Sequence, residues 1–311
     1  EASLRPKTLS DYVGQEQIKK HLWVSIASAR MRGAALEHIL FYGPPGLGKT
    51  TLSNIIASEM GSNLKITSWP AIEKQADLVS ILSNIEAGDI LFIDEIHRLR
   101  PQIEEILYTA MEDFVIDIIV GKGTGAQSVR MPVNSFTLVW ATTKLSALSS
   151  PLRDRFGNVL KLDFYSENDL AKIITRNAHI LDLEMVEELI ESISSRSRGT
   201  PRISNRLLKI IRDYKIIGKD INDVKTFQEI FQDLGIDELG LDYLDKKYLD
   251  TIYYKFWAGP VGLGTLASSI GEEEATLEDV VEPYLLQIGF LERSSRGRKI
   301  TQIGIEHLIR K

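Results

Sequence analysis

The sequence contains no cysteine, which excludes disulfides, thiolate-bound zinc and cysteine nucleophiles. None of its five histidines falls into a His-Glu-x-x-His pair, so the metal to expect is magnesium carried with a nucleotide. No apolar run reaches the roughly eighteen residues that span a bilayer, and Glu1-Ala-Ser-Leu-Arg5 lacks the apolar region of a secretory signal. A cytoplasmic protein with no membrane contact is the expectation. Internal repeats, coiled-coil heptads and low-complexity tracts are missing too, as is the Asn-Lys-x-Asp signature of guanine binding. A net charge of −6 gives no overall pull toward a polyanion, so any contact with nucleic acid must rest on a local basic patch.

What is present describes a globular chain of 311 residues, 43% hydrophobic and 26% charged, long enough for two or three domains. Residues 36–164 alternate apolar strands (Ile39–Tyr42, Leu64–Thr67, Ile90–Ile93, Thr137–Ala141, Val159–Phe164) with helical patterns, the mark of a parallel α/β sheet. The helices Lys49–Met60, closed by Gly61, and Pro101–Met111, opened by its proline, are the clearest. Val115–Val120 and Ser128–Met131 flank Gly121-Lys-Gly-Thr-Gly125 and predict an inserted β-hairpin. Strands then stop. Glu167–Leu181, Glu184–Ser195, Pro201–Lys215 and Val224–Phe231 predict a small helical domain. After Gly235–Gly240, three helices (Tyr243–Phe256, Leu263–Ile270, Thr276–Ile288) precede Phe290–Glu292 and Lys299–Thr301, which predicts a winged helix. The domains expected are 1–165, 166–236 and 237–311. Tyr253, Tyr254, Phe256 and Trp257 could form a stacking platform for bases, but their spacing suits a helix face packed into a core.

Chemistry is concentrated in Gly43-Pro-Pro-Gly-Leu-Gly-Lys-Thr50, a P-loop placed between an apolar strand and a helix. Its glycines, Gly46 and Gly48 among them, let backbone N–H groups close around phosphate oxygens. Lys49 reaches the terminal phosphates, and the Thr50 hydroxyl ligates magnesium. Asp89-Ile-Leu-Phe-Ile-Asp-Glu95 is a buried strand ending in paired carboxylates. Asp94 would sit beside the metal and Glu95 would polarise an attacking water, although two such acids can also cap a following helix. Thr142 and Thr143 follow a strand that can face the γ-phosphate, a weak signal among turn hydroxyls. Pro151-Leu-Arg-Asp-Arg-Phe-Gly157 and Gly199-Thr-Pro-Arg202 supply arginines that spacing alone would make surface ion pairs. The turn Arg293-Ser-Ser-Arg-Gly-Arg298, with Lys299, is a basic patch in an acidic chain, suited to backbone phosphates.

Leu4-Arg-Pro-Lys7, Asp11-Tyr-Val-Gly-Gln15, the P-loop, Phe92-Ile-Asp-Glu-Ile-His-Arg-Leu99, Ser150-Pro-Leu-Arg-Asp-Arg-Phe-Gly157, Gly199-Thr-Pro-Arg-Ile203, Glu282-Pro-Tyr-Leu285 and Phe290–Arg298 together resemble the RuvB family of bacterial Holliday-junction branch-migration motors, within the AAA+ class. The resemblance runs nearly end to end. It implies an AAA+ P-loop domain with an inserted hairpin, an all-helical lid and a C-terminal winged helix. It also implies an ATP-dependent translocase acting in recombination and DNA repair. Leu4 and Arg5 match adenine-side contacts, and Gly46, Lys49, Thr50 and Thr51 the phosphate cradle. Glu112, Asp113, Phe114 and Tyr165 match positions lining the nucleotide site. Thr142 or Thr143 would be the first sensor, Arg155 the arginine finger offered to a neighbouring subunit and Arg202 the second sensor. In the wing, Arg293 and Arg298 match DNA contacts, with Arg296 between them.

The cofactors implied are ATP and Mg2+. The partners implied are duplex DNA at four-way junctions, a RuvA-like protein docked on hairpin 115–131, a junction resolvase, and further copies in a hexameric ring. Trp140 stands where the family has a small residue, and its bulk is expected to repack the hairpin base. The alternative from another class is a nucleotide-switched DNA-binding protein of initiator or clamp-loader type.

Overall fold

Strands buried on both faces need helices on either side, and the apolar runs of the N-terminal half meet that condition. The computed structural model describes residues 4–68, 71–72, 74–94, 100–120 and 127–310, and the chain divides into two units, Ser3–Asp163 and Phe164–Lys311. The first unit runs α1 (Glu16–Arg32), β1 (Ile39–Tyr42), α2 (Lys49–Met60), β2 (Leu64–Ser68), α3 (Gln75–Ser83), β3 (Ile90–Asp94), α4 (Pro101–Glu112), β4 (Val115–Val120), β5 (Gln127–Pro132), β6 (Thr137–Thr142), α5 (Ser150–Arg153) and β7 (Asn158–Lys161). Among the described residues five strands pair in the order β2-β3-β6-β1-β7, all parallel. β4 and β5 pair antiparallel as a separate ribbon, Val115 opposite Pro132. Ile39, Leu40, Phe41, Phe92, Leu138 and Trp140 are fully buried in this core.

β7 ends earlier than the apolar run to Phe164 suggests, because the Leu162 N–H still reaches the Tyr42 carbonyl while the chain then turns away. α1 and α3 carry no strong sequence periodicity and are held by tertiary packing: Leu22 and Ile26 are buried on α1, which packs against α2, and Leu78 of α3 is buried in one cluster with Leu91 and Ile93 of β3. Asp89 fixes the turn before β3, accepting from the Glu86 N–H at 3.0 Å, Asn63 at 3.2 Å and Lys65 at 3.1 Å. Burial pushes its pKa up, but these donors outweigh burial and hold it below the usual carboxylate value.

The second unit runs α6 (Glu167–Ile180), α7 (Glu187–Arg196), α8 (Pro201–Ile216), α9 (Val224–Asp233), α10 (Tyr243–Asp250), α11 (Leu263–Ile270), α12 (Glu274–Thr276), α13 (Glu282–Gln287), β8 (Leu291–Ser294), β9 (Gly297–Ile300) and α14 (Gln302–Ile309). Ser166, Asp223 and Asp242 cap α6, α9 and α10 by accepting first-turn N–H groups. Two expected helices are interrupted by wide π-turns, Thr251–Lys255 and Leu277–Val281. The second precedes Pro283, which lacks the N–H that would continue the helical ladder. Within this unit Arg198, on the loop after α7, makes a buried two-pronged pair with Asp245 of α10, at 2.7 and 3.1 Å. Burial raises Asp245 to about 7, with Arg198 opposing the shift.

Among the described residues no helix is long and apolar enough to cross a membrane.

Candidate nucleotide and DNA sites

The P-loop joins the C-terminal end of β1 to the first turn of α2, and Gly43, Gly46 and Gly48 take positive φ of 138°, 86° and 103°. At Gly48 a side chain would be both strained and driven into the Tyr12 hydroxyl. That hydroxyl donates to the Leu47 carbonyl at 3.2 Å, so the ring of Tyr12, 4% exposed, clamps the loop from behind. Lys49 is buried, its Nζ donating to the carbonyls of Gly43 at 2.7 Å and Pro44 at 2.8 Å. Thr50 and Thr51 lie half-buried in the first turn of α2, where the N–H groups of a helix start and the helix dipole favour an anion.

Because β6 lies between β1 and β3, its end sits between the P-loop and Asp94. Gly43 donates to the Thr142 carbonyl at 3.2 Å, and Asp94 is in register with Ala141. This is the carboxyl edge of an open parallel sheet, where ligands of such folds bind. Thr142 is buried, and its hydroxyl both accepts from the Lys144 N–H at 3.0 Å and donates to the Lys144 carbonyl at 3.2 Å. Thr143 is the more accessible of the two. Asp94 is half-buried at the end of its strand. Glu95 and His97 lie outside the described residues, as does the hairpin tip 121–126.

Arg155, one residue beyond the turn that closes α5, points back onto its own chain. Its Nη2 is 2.8 Å from Glu112, and its guanidinium lies 4.7 Å from the centre of the Tyr108 ring. Its Nε is buried without a partner among the described residues. Tyr108 in turn donates to Glu104 at 2.5 Å. Asp113 is exposed, and Phe114, with φ 51°, meets the ring of Phe136 edge-on at 6.2 Å. Trp140 is fully buried, its ring edge-on to Phe156 at 5.9 Å and its Nε1 unpartnered among the described residues. Its ring partner is thus the residue after Arg155, and it shares one buried cluster with Ile116 and Val133 at the hairpin base. Leu4 is half-buried and Arg5 exposed in the first unit. Tyr165 and Arg202 belong to the second. Tyr165 is buried and donates its N–H to Gly199 at 2.8 Å, while Arg202 is exposed at the second position of α8.

The wing departs from the sequence reading in one respect. Arg293 and Arg298 are not in the turn: they face each other across β8 and β9 and converge on Glu282 at the start of α13. Glu282 is completely buried. It accepts from Arg293 Nε at 2.6 Å and Nη2, from Arg298 Nε at 3.0 Å, and from the Tyr248 hydroxyl at 2.7 Å. Burial, then the Glu282 carboxylate, raise the Tyr248 pKa. Burial works against the Arg298 charge, and Glu282 more than offsets it. Arg296 and Lys299 are exposed and form no ion pair among the described residues. Direct pairing across the ribbon puts both guanidinium groups on the face that meets Glu282, with 38% of the Arg293 side chain and 16% of the Arg298 side chain still accessible, a geometry the run of basic residues hid. Tyr254 and Trp257 also leave the expected core, with 69% and 87% exposure. The wide turn after α10 breaks the helical face on which they would have packed. Tyr12 and Glu282 carried no assigned role in the sequence, since each acts through a contact distant in the chain.

A P-loop, an acidic strand end and a threonine-bearing strand end on one edge of this sheet, with a helical lid and a winged helix in the same chain, define an AAA+ ATPase with a DNA-binding module. Residues 4–162 match the family model described as the Holliday junction DNA helicase RuvB P-loop domain, 165–237 the RuvB AAA lid domain and 238–309 the RuvB C-terminal winged helix domain. The chain belongs to the RuvB family. It is 54% identical over 309 residues to the Holliday junction branch migration complex subunit RuvB of Dehalococcoides mccartyi (strain CBDB1), covering 99% of this chain and 88% of that protein. It superposes on the Thermotoga maritima RuvB Holliday junction branch migration motor with a TM-score of 0.89 and 48% identity, over 98% of each chain. A mutant of that protein gives 0.91, with the same identity and coverage.

Proposed function

We propose that this chain is the ATP-driven motor subunit that moves the crossover of four-way DNA junctions in recombination and repair. The observation that carries the proposal is the sheet edge on which β6 alone separates the P-loop strand from Asp94, in a chain of the RuvB family. Gly46, Gly48, Lys49, Thr50 and Thr51 cradle the phosphates, with Leu4 and Arg5 on the adenine side. Lys49 exchanges its two loop carbonyls for terminal phosphate oxygens. The Thr50 hydroxyl and Asp94 carboxylate are oxygen donors of the kind a small hard cation takes. They would hold Mg2+, which neutralises phosphate charge when bound. Glu95 orients the attacking water, and Thr143, its hydroxyl less committed than that of Thr142, senses the γ-phosphate. Arg155 leaves Glu112 to complete the site of a neighbouring copy, Arg202 acts as second sensor, and Glu112, Asp113, Phe114 and Tyr165 line the nucleotide.

The working assembly we propose is a hexameric ring in the cytoplasm, each chain organised as 1–165, 166–236 and 237–311. Arg293, Arg296 and Arg298 face duplex DNA, ribbon 115–131 docks on a RuvA-like protein, and a junction resolvase joins the complex. The test is ATP-dependent strand separation of a synthetic four-way junction with and without the RuvA-like protein. Wild-type chain should separate it, and Glu95→Gln should bind ATP yet turn over almost none. Junction binding without movement would instead mark a nucleotide-switched DNA-binding protein.

A further inference from the structure

Trp257 is the most exposed aromatic of the second unit, 87% accessible, and it sits on strained backbone. Trp257 and the following Ala258 both take left-handed φ, 50° and 67°, a conformation that non-glycine residues seldom adopt. The strain is held by a closed set of backbone bonds. The Ala258 N–H donates to the Ile252 carbonyl at 3.0 Å, the Ile300 N–H donates to the Ala258 carbonyl at 3.2 Å, and Val261 exchanges two bonds with Arg298 at 2.9 and 2.8 Å. At Gly259, φ 86°, a Cβ would strike the Arg298 carbonyl, so the loop lies directly against β9. Core packing does not account for a Trp side chain in solvent on a backbone fixed in this way.

We infer that the loop 256–260 forms a second DNA-contacting element beside the wing, with Trp257 making an apolar contact to the sugar edge of duplex DNA. The inference rests on the wing being a DNA surface, as proposed above. The occupant follows from continuity and charge: the loop is hydrogen-bonded to the strand that carries Arg298 and Lys299. The exposed side chains nearby in sequence or on that ribbon include the cations Lys255, Arg293, Arg296 and Lys299 and the aromatic Tyr254, with the acidic Glu292 opposite Lys299 in register. Arg293 and Arg298 spend part of their charge on Glu282 and Glu278. A contact that needs no counterion release therefore adds affinity where free cations are few. A contact to sugar reads no base edge and so carries no sequence preference, as a motor that moves along DNA requires.

The experiment measures binding of the assembled full-length protein to a fluorescent duplex and a four-way junction, in ATP analogue, across a salt series. Trp257→Ala should weaken binding about tenfold at every salt concentration with the salt slope unchanged, since an apolar contact releases no counterions. Trp257→Phe should recover most of the loss. Arg296→Ala should instead lower the slope by about 0.9. Thermal melting of Trp257→Ala should match wild type, as the side chain is in solvent. Unchanged affinity for Trp257→Ala with a reduced slope for Arg296→Ala overturns the Trp257 contact and leaves the wing in place. Unchanged behaviour of both overturns the wing surface and this inference together. Loss of self-association or of RuvA-like protein binding at unchanged DNA affinity also overturns it, since the partner would then be protein.

Discussion

Glu282 gathers two guanidinium groups and a phenol around one carboxylate that has no access to water. Removing it leaves Arg298, 16% exposed, with only the more distant Glu278 carboxylate at 3.7 Å, and breaking such a buried pair costs more than forming it gains. Glu282→Ala is expected to destabilise the second unit by about 3 kcal/mol, read from chemical denaturation of the full chain. A loss under about 1 kcal/mol would mean the pair behaves as a surface bridge. Nothing around position 282 in the sequence marks this carboxylate as buried. The basic run 293–298 was legible as a positive segment, but which of its members face solvent depends on the pairing of Arg293 with Arg298 across the ribbon.

At the scale of elements, two aspartates make stability depend on pH in opposite directions. Asp89, at the turn before β3, has its pKa lowered in the folded state. Its contribution is present above the ordinary value near 3.8 and is lost as pH falls through the folded value. Asp89→Asn should therefore flatten the acid limb of the stability curve of the first unit. Asp245, at the start of α10, is raised to about 7. The folded state then holds its proton more tightly than the unfolded chain, so stability is greatest below the ordinary value and declines as pH rises toward neutrality. Asp245→Asn should remove that decline in melting temperature between about pH 4 and pH 7. A decline that persists would assign it to another group. The α/β alternation, the hairpin and the wing were legible because strand and helix periods differ. α1 and the two π-turns were not: α1 is held by buried residues such as Leu22 and Ile26 rather than by a marked periodicity, and the turn 277–281 precedes Pro283, whose missing N–H no periodicity shows.

For the whole molecule, the resting place of Arg155 bears on how a ring would work. An arginine held by Glu112 and Tyr108 of its own chain is expected to be released only when a neighbour presents nucleotide, so isolated chains should hydrolyse ATP slowly. Arginine fingers contribute about 10³ to 10⁵ in rate. Mixing equal amounts of Arg155→Ala and wild-type chain should accordingly lower ATP turnover below half, as measured at saturating ATP and junction DNA. Loss in simple proportion would mean that each site works alone.

By itself the sequence determined the phosphate loop, the acidic end of β3 and the order of sheet, helical and winged segments, because these depend on residue type at short fixed spacing. Only the tertiary structure decided that Tyr12 braces the loop, that Thr142 spends its hydroxyl on a turn, that Arg155 rests on Glu112 and that Glu282 draws two basic residues inward. It also decided that Trp257 stands in water. The Thr142 bonds are local, to Lys144 two residues on, but the others depend on exposure or on contacts between residues far apart in the chain, which arise only when the packed core closes the chain on itself.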